Sequence, residues 1–297
     1  MQPTPHQAKL IETSAEIWNE NPQELAFQHV VLAHLGFPRS RTEASEFTRT
    51  SGSTSLLLQA GKLWTGTSWE TRPLPYGSIP RLMMIAITTR AIQQKTRVIE
   101  LGRSMSESLR ELGLADTGAT HWRRVRHQAE CLSAMNMTLG YISQGQATTL
   151  TAKPVKKFEA WVHRNVDQLT LIPSEVELSA DFFEALEGAS VPLDVRAVRA
   201  LSKHPMALDV YTWLAHRLCR VRSRDGERIP WMKLREQFGG EIADQKEFKK
   251  QMKLALKKAA LVYPTAKLDT WGSGLTLLPS PPPVAKDRVL VSFARRA

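Results

Sequence analysis

The amino-acid sequence predicts an α+β protein that is mainly helical, with tandem winged helix-turn-helix domains and an N-terminal helical extension. The main observation is one order of elements that occurs twice: apolar helix, short strand, short helix, glycine-containing turn, longer basic helix, hairpin. The length of 297 residues suits about two domains, and 42% hydrophobic residues suffice for a substantial core. The two copies share this order but little sequence.

The N-terminal extension is predicted to span residues 1–72. Helical patterns cover residues 7–18 and 22–35. Residues 39–54 are rich in Ser, Thr and Arg and lack a clear apolar period, which is typical of a loop or a locally ordered arm.

The first winged-helix domain is predicted over residues 73–190. It opens with an apolar helix at 80–94 and a short strand at 98–101. Ser104 and Glu107 form a capping box for a short helix that ends at a glycine, Gly113. The next helix is capped by Thr117 or Thr120, and extended stretches at 137–143 and 158–171 are predicted to form the hairpin.

The longer helix of this first domain has one cationic face. Its inner stripe is Trp122, Val125, Ala129 and Leu132. Arg123, Arg124 and His127 lie on the outer face with Arg126 at its edge, and arginine can read guanine or grip phosphate. Lys153, Lys156 and Lys157 are placed at the tip of the hairpin. The alternative is that these are solvated surface charges.

The second winged-helix domain is predicted over residues 191–285, followed by a tail at 286–297. Its elements are a helix at 206–221, a strand at 228–230, a short helix at 232–238, a long helix at 244–260 and a hairpin formed by 262–268 and 274–278. Gly239 and Gly240 stop the short helix.

The long helix of the second domain has two opposed faces. Lys246, Lys250, Lys253 and Lys257 recur at helical spacing, and Phe248, Met252, Ala255 and Ala259 recur with the same spacing on the other side. Lys249 and Lys258 flank the lysine stripe. Gln245 and Gln251 are candidates for base reading, since lysine mostly contacts phosphate. A lysine stripe can also be only a solvated face, but carboxylates are sparse here.

The candidate DNA-binding residues form two groups, one in each domain. They are Thr120, Arg123, Arg124, Arg126, His127, Lys153, Lys156, Lys157, Gln245, Lys246, Lys249, Lys250, Lys253 and Lys257.

The net charge of +11 favours a phosphate-bearing partner or an anionic membrane surface. The longest clean apolar run, residues 82–87, is far too short to span a bilayer. The N-terminus lacks the apolar segment of a secretory signal, so we expect a cytoplasmic protein. Cys131 and Cys219 are expected to be reduced structural thiols.

Motifs of several enzyme classes are missing from the sequence. Gly61-Lys62 lacks the remainder of a phosphate-binding loop, and the histidine pairs lack the spacing of a metal-dependent nicking site. We therefore expect no catalytic activity, no metal site and no cofactor. The four tyrosines lie in apolar contexts that suit a core or an interface better than a nucleophile.

Several segments resemble the plasmid-encoded RepA replication initiators of broad-host-range bacterial plasmids. They are LPYGSIPRLMMIAITTRAIQQKTRVIELGRSMSESLRELGL, TGATHWRRVRHQAECL, LDVYTWLAHRL with IPWMKLREQFG, and GSGLTLLPSPPPV. The resemblance covers roughly residues 25–285. It implies a theta-type initiator that binds iteron repeats, bends or opens origin DNA, and helps to recruit host replication factors, with a monomer–dimer equilibrium. It places the DNA-facing role on the helices at 120–132 and 245–258.

The leading interpretation is therefore an initiator that binds iterons in double-stranded plasmid origin DNA, with the host replicative helicase and initiator as further partners. The runner-up is a dimeric winged-helix transcriptional repressor, which predicts a palindromic operator. A third class, a primase or nicking enzyme, predicts clustered carboxylates or a tyrosine nucleophile near histidines.

Overall fold

The computed structural model describes residues 5–100, 107, 109–114, 118–143, 146–151, 154–159, 175–188 and 190–285. The predicted α+β class is confirmed. The chain forms two compact units. The terminal unit combines residues 1–36 with residues 190–297, and the central unit comprises residues 37–189.

The N-terminal segment begins with α1 (Pro5–Asn19), followed by β1 (Leu25–His29) and α2 (Val30–His34). The predicted first helix is confirmed. The predicted helix over residues 22–35 is wrong in its first half, which forms β1. All five residues of β1 are buried, and the strand pairs antiparallel with residues 190–194. Its partner comes from far along the chain, so local periodicity carries no sign of the pairing.

The central unit opens with β2 (Glu46–Ser51) and β3 (Thr54–Gln59), which form an antiparallel hairpin. The predicted loop or locally ordered arm over residues 39–54 is confirmed as a loop for residues 39–45 and is wrong from residue 46 onward, where β2 begins. Side chains of β2 do alternate, but the buried position is Arg49, which is 3% exposed and donates to the carbonyl of Phe37 at 3.4 Å. An arginine at a core position hides the apolar period of the strand.

A second hairpin, β4 (Gly61–Trp64) and β5 (Trp69–Arg72), precedes α3 (Ser78–Gln94) and β6 (Val98–Glu100). The helix and strand predicted at 80–94 and 98–101 are confirmed within a few residues. The core face of α3 is almost entirely apolar and buried.

A short helical segment follows and ends at Gly113, as predicted. Gly113 has φ +94°; its N–H donates to the Arg110 carbonyl at 2.9 Å, and the Leu114 N–H donates to the Leu109 carbonyl at 2.8 Å. This bond pair defines a Schellman motif, which favours glycine. Ser104 lies outside the described residues, so the capping box stays a prediction.

The arginine-bearing helix is α4 (Ala119–Ala134), and Gly118 occupies its N-cap position. The predicted threonine cap is wrong for Thr120, which lies inside the helix. Thr117 lies outside the described residues.

The strands after α4 are β7 (Asn136–Ser143), β8 (Gln146–Thr151), β9 (Val155–Glu159) and β10 (Glu175–Leu178), followed by α5 (Ala180–Gly188). The sheets have the orders β2-β3-β7-β8 and β6-β10-β9. The predicted hairpin between residues 137–143 and 158–171 is therefore wrong, because β7 pairs with β3 and β8 while β9 pairs with β10. Residues 160–174 lie outside the described part of the chain.

The remainder of the terminal unit closely follows the predicted order. Its elements are β11 (Ser190–Asp194), α6 (Val195–Leu201), α7 (Pro205–Arg217) with a 3-10 turn (Leu218–Arg220), β12 (Glu227–Pro230), α8 (Trp231–Phe238), α9 (Gln245–Leu261), β13 (Leu268–Trp271) and β14 (Gly274–Leu277). The first hairpin strand was predicted over residues 262–268 but begins at Leu268. Val262 and Tyr263 belong to the loop after α9, where both are buried. The sheet order is β12-β14-β13.

Both units therefore contain the same arrangement. In the central unit it comprises α3, β6, the helical segment, α4, β9 and β10; in the terminal unit it comprises α7, β12, α8, α9, β13 and β14. Each three-stranded sheet places the last strand between the other two. The central copy carries β7 and β8 as an insertion, and these strands join the sheet of β2 and β3.

The predicted domain boundaries, 1–72, 73–190 and 191–285, stay predictions. One boundary between the two compact units also lies near residue 190. The other lies after Gly36 and divides the predicted extension. The tail at 286–297 lies outside the described residues. Across the described ranges, no helix has both the length and the apolarity needed to cross a lipid bilayer.

Two partly buried histidines meet in the terminal unit. His34 Nε2 lies 2.7 Å from His216 Nδ1, and the rings pack edge to face. Burial, together with the positive charges of Arg217 and Arg220, lowers the pKa of His34 from 6.5 to about 4. Burial and the neighbouring His34 lower the pKa of His216 to about 3. Both rings are therefore neutral at pH 7.

We expect the terminal unit to lose stability as the pH falls from about 6.5 towards 4. In that range His34 and His216 bind protons in the unfolded chain but not in the folded one. This difference costs up to about 1.4 kcal/mol per pH unit at His34, and less at the more exposed His216, where solvent screens the charge. Urea denaturation at pH 7 and pH 5 measures this loss. The double variant His34→Gln/His216→Asn should show a smaller pH dependence, and an unchanged dependence would contradict the assignment.

Candidate nucleic-acid interface

Helix α9 has the two faces that its residue spacing predicts. Asp244 caps it, accepting the N–H of Lys246 at 2.8 Å. The inward residues Phe248, Met252, Ala255 and Ala259 are all buried. The outward residues Lys246, Lys250, Lys253 and Lys257 are all exposed. The apolar face anchors the helix, and the cationic face is open to solvent.

The contacts of the exposed lysines are weak. Lys250 Nζ lies 3.8 Å from a carboxylate oxygen of Glu247, with both side chains well exposed, so the pair contributes little. Lys253 Nζ lies 5.9 Å from the ring centre of Trp231, a cation–π distance. The described residues provide no ion pair for Lys246 or Lys257. This stripe is therefore a cationic surface with little internal neutralisation.

The residues that flank the lysine stripe of α9 have closer intramolecular contacts than the stripe itself. Lys258 Nζ lies 3.0 Å from His204 Nε2, and burial lowers the pKa of Lys258. Gln245 Oε1 accepts from Arg235 at 3.4 Å, while Gln251 donates to Glu247 at 2.9 Å. Lys249 is half-buried. Base reading by the two glutamines stays a prediction, and each amide already has an intramolecular partner.

Arg235 holds the turn between α8 and α9. Its Nη2 donates to the carbonyls of Ile242 and Ala243 at 2.9 and 2.7 Å, and its Nε donates to Ile242 at 3.1 Å. Three bonds from one guanidinium to successive carbonyls set the direction in which α9 leaves the turn.

Helix α4 has a similar division of faces. Val125, Ala129 and Leu132 are buried, as predicted, whereas Trp122 is only half-buried. The outer residues Thr120, Arg123, Arg124, Arg126 and His127 are exposed.

The arginines of α4 differ in their partners. Arg126 Nε contacts Glu130 Oε1 at 3.0 Å, and the other oxygen of Glu130 accepts from Arg72 Nε at 3.0 Å. Arg123 donates to Thr120 Oγ1 at 3.3 Å. Arg124 has no ion pair among the described residues. Arg123 and Arg124 are therefore the least neutralised cations of this helix.

The predicted hairpin lysines lie elsewhere in the fold. Lys156 and Lys157 belong to strand β9 and do not lie at a hairpin tip. Lys153 lies outside the described residues. The error follows from the wrong strand pairing, because a connection between different sheets resembles a hairpin loop in sequence.

The hairpin of the terminal unit carries a pair that the sequence reasoning missed. The guanidinium of Arg228 on β12 lies 5.8 Å from the ring centre of Trp271 on β13, and both residues are exposed. Trp271 directly precedes the turn at Gly272 and Ser273. An aromatic residue beside a glycine turn was the available signal.

Other candidate chemistry is weak in the described part of the chain. No group of three or more His, Cys, Asp or Glu residues there is placed to hold a metal ion. Burial raises the pKa of Tyr211 and of Tyr263, which disfavours a phenolate at either position. Burial also raises the pKa of the Cys131 thiol to about 12, whereas Cys219 is exposed.

Comparison of folds finds similarity to domains 2 and 3 of RctB. A crystal structure of their selenomethionine derivative matches with a TM-score of 0.51 at 12% identity, covering 84% of this chain and 89% of that chain. A second crystal structure of RctB domains 2–3 has a TM-score of 0.48 at 12% identity, covering 91% and 100%. At this identity the first match is one of fold alone. Comparison with curated protein sequences found no match.

Comparison with family models gives a stronger result. The model of plasmid-encoded RepA proteins matches residues 74–233, just over half of the chain. The matched segment begins before α3 and ends within α8, so it contains α4 and leaves α9 beyond its end. The chain belongs to the family of plasmid-encoded RepA proteins.

Proposed function

We propose that the chain is a replication initiator that binds repeated sequences in double-stranded plasmid origin DNA through two winged helices. The observation that carries this proposal is the repeated arrangement of helix, strand, two helices and an antiparallel pair of strands, with the last strand central in each sheet. In each copy the second of the two helices, α4 or α9, buries an apolar face and exposes a cationic one. Membership of the plasmid RepA family supports the replication role.

The chemistry of the two exposed faces supports duplex DNA as the ligand. An α-helix fits the major groove, and lysines along its edge contact phosphates on both sides. The stripe of α9 supplies phosphate contacts, and Arg123 and Arg124 of α4 supply groups that can pair with guanine edges. The net charge of +11 adds an attraction that does not depend on sequence.

Further steps of initiation follow from the family alone. We propose that bound protein promotes origin opening and recruits the host replicative helicase and initiator. We also propose a monomer–dimer equilibrium and a cytoplasmic location, and no catalytic activity or cofactor enters the proposal.

Footprinting of the protein on its own plasmid origin tests the proposal. We expect protection of direct tandem repeats of about 20 bp, because two recognition helices on one face of the duplex contact grooves about 10 bp apart. Protection of no repeated sequence would overturn the proposal. Protection of one palindrome by a stable dimer would instead support a transcriptional repressor.

A further inference from the structure

The β4–β5 hairpin of the central unit exposes two tryptophans. Trp64 and Trp69 are 52% and 65% exposed and lie directly opposite each other in the strand register. Their ring centres are 5.6 Å apart, with the planes inclined at 54°. Large indole surfaces left in water on adjacent strands mark a site of interaction. We call residues 61–72 the tryptophan hairpin.

The outer face of the tryptophan hairpin is aromatic and cationic. Strand alternation places Lys62 and Thr71 on the same face as the two tryptophans, and all four residues are exposed. Glu70 lies on the opposite face, where it pairs with Arg72 at 2.7 Å. The outer face therefore offers ring surfaces and a positive charge without a carboxylate.

The inner face fixes the hairpin to helix α4. A Cβ on Gly61 would lie 1.9 Å from the carbonyl oxygen of Ala134, so the two backbones touch. Arg72 contacts Glu130 at 3.0 Å, and Glu130 also holds Arg126. Gly61 and Arg72 are paired at the open end of the hairpin, so these contacts attach its base to α4, and the two tryptophans lie at the other end, beside the turn.

We propose that the tryptophan hairpin binds unpaired bases of single-stranded DNA, by stacking on Trp64 and Trp69 with phosphate contact at Lys62. Bases in a duplex are stacked on one another, whereas unpaired bases have free faces for an indole ring. Each such stack contributes about 1–3 kcal/mol. On the face of the two tryptophans the only charged residue is Lys62, and a positive charge beside ring surfaces favours an anionic ligand that has aromatic bases. The inference rests on the proposed function, in which origin opening exposes a single strand.

The test uses the full-length protein with a labelled oligothymidine and a labelled duplex of the footprinted origin. We expect Trp64→Ala/Trp69→Ala to weaken oligothymidine binding at least about 30-fold, from the loss of two stacks, and to leave duplex binding unchanged. Trp64→Phe/Trp69→Phe keeps aromatic faces and should retain most of the binding. Trp18→Ala removes another exposed tryptophan, 65% exposed on α1, and should change neither affinity.

The outcomes separate this inference from the proposed function. Equal oligothymidine binding by the wild type and the double alanine variant overturns the inference even where the duplex repeats are bound. The inference is also overturned if the double alanine variant loses binding to a host protein but still binds oligothymidine as the wild type does. If the protein binds oligothymidine through the two tryptophans but binds no repeated duplex sequence, the inference is supported and the proposed function is overturned. Should the double alanine variant unfold, equal binding by Trp69→Ala and the wild type overturns the inference.

Discussion

Replacing Lys246, Lys250, Lys253 and Lys257 together by alanine is expected to flatten the salt dependence of DNA binding. Each lysine that contacts a phosphate adds about 0.9 to the slope of log affinity against log salt, so the slope should fall by about three to four units. Between 50 and 200 mM salt, the wild type should lose about 100-fold more affinity than the variant. The four side chains are exposed and weakly paired, so the fold should survive their loss.

Titrations at several salt concentrations, on the origin site and on unrelated duplex, measure this effect. Single substitutions provide the matched control. Lys250→Ala should weaken binding to all sequences and lower the slope by about one unit, whereas Lys203→Ala removes an exposed lysine outside α9 and should leave the slope unchanged. A loss of affinity confined to the specific site would mean that the stripe reads bases.

The opposite face of the same helix gives the largest expected effect on stability. Phe248→Ala should destabilise the terminal unit by about 3–5 kcal/mol, because the ring is fully buried and its removal leaves a cavity. That is a large share of the roughly 5–15 kcal/mol that stabilises a typical domain. Leu254→Ala, on the same helix but 54% exposed, should cost under about 1 kcal/mol.

Urea denaturation of the two variants measures the difference, and DNA titration of the folded fraction shows whether α9 stays in place. Equal stability losses for Phe248→Ala and Leu254→Ala would contradict the anchoring of α9 through its apolar face.

The faces of α4 and α9 were predictable from residue spacing. A helix repeats every 3.6 residues, so apolar and cationic residues at that period separate into two faces whatever the helix packs against. Glycines likewise marked helix ends correctly at Gly113 and Gly239. Gly113 has φ +94°, which favours glycine, whereas at Gly239 a Cβ would collide with the ring of Phe248. These are local rules, and they held in both units.

The strand pairings were not predictable in the same way. β1 pairs with β11, and β6 and β9 flank β10, across long stretches of chain. β2 buries Arg49 at the position where an alternating strand would ordinarily place an apolar residue. The pairing of distant strands depends on which strand edges the rest of the fold brings together. The alternation of side chains every two residues indicates a strand but does not identify the strand with which it pairs.

The same division applies to the candidate site. The helices of both units and their lysine and arginine faces follow from the sequence, because helix period and turn residues act within a few positions. Only the tertiary structure places the tryptophan hairpin against α4 and leaves Trp64 and Trp69 in solvent. Tryptophan is usually largely buried, so whether a given tryptophan is exposed depends on which residues the tertiary fold packs against it.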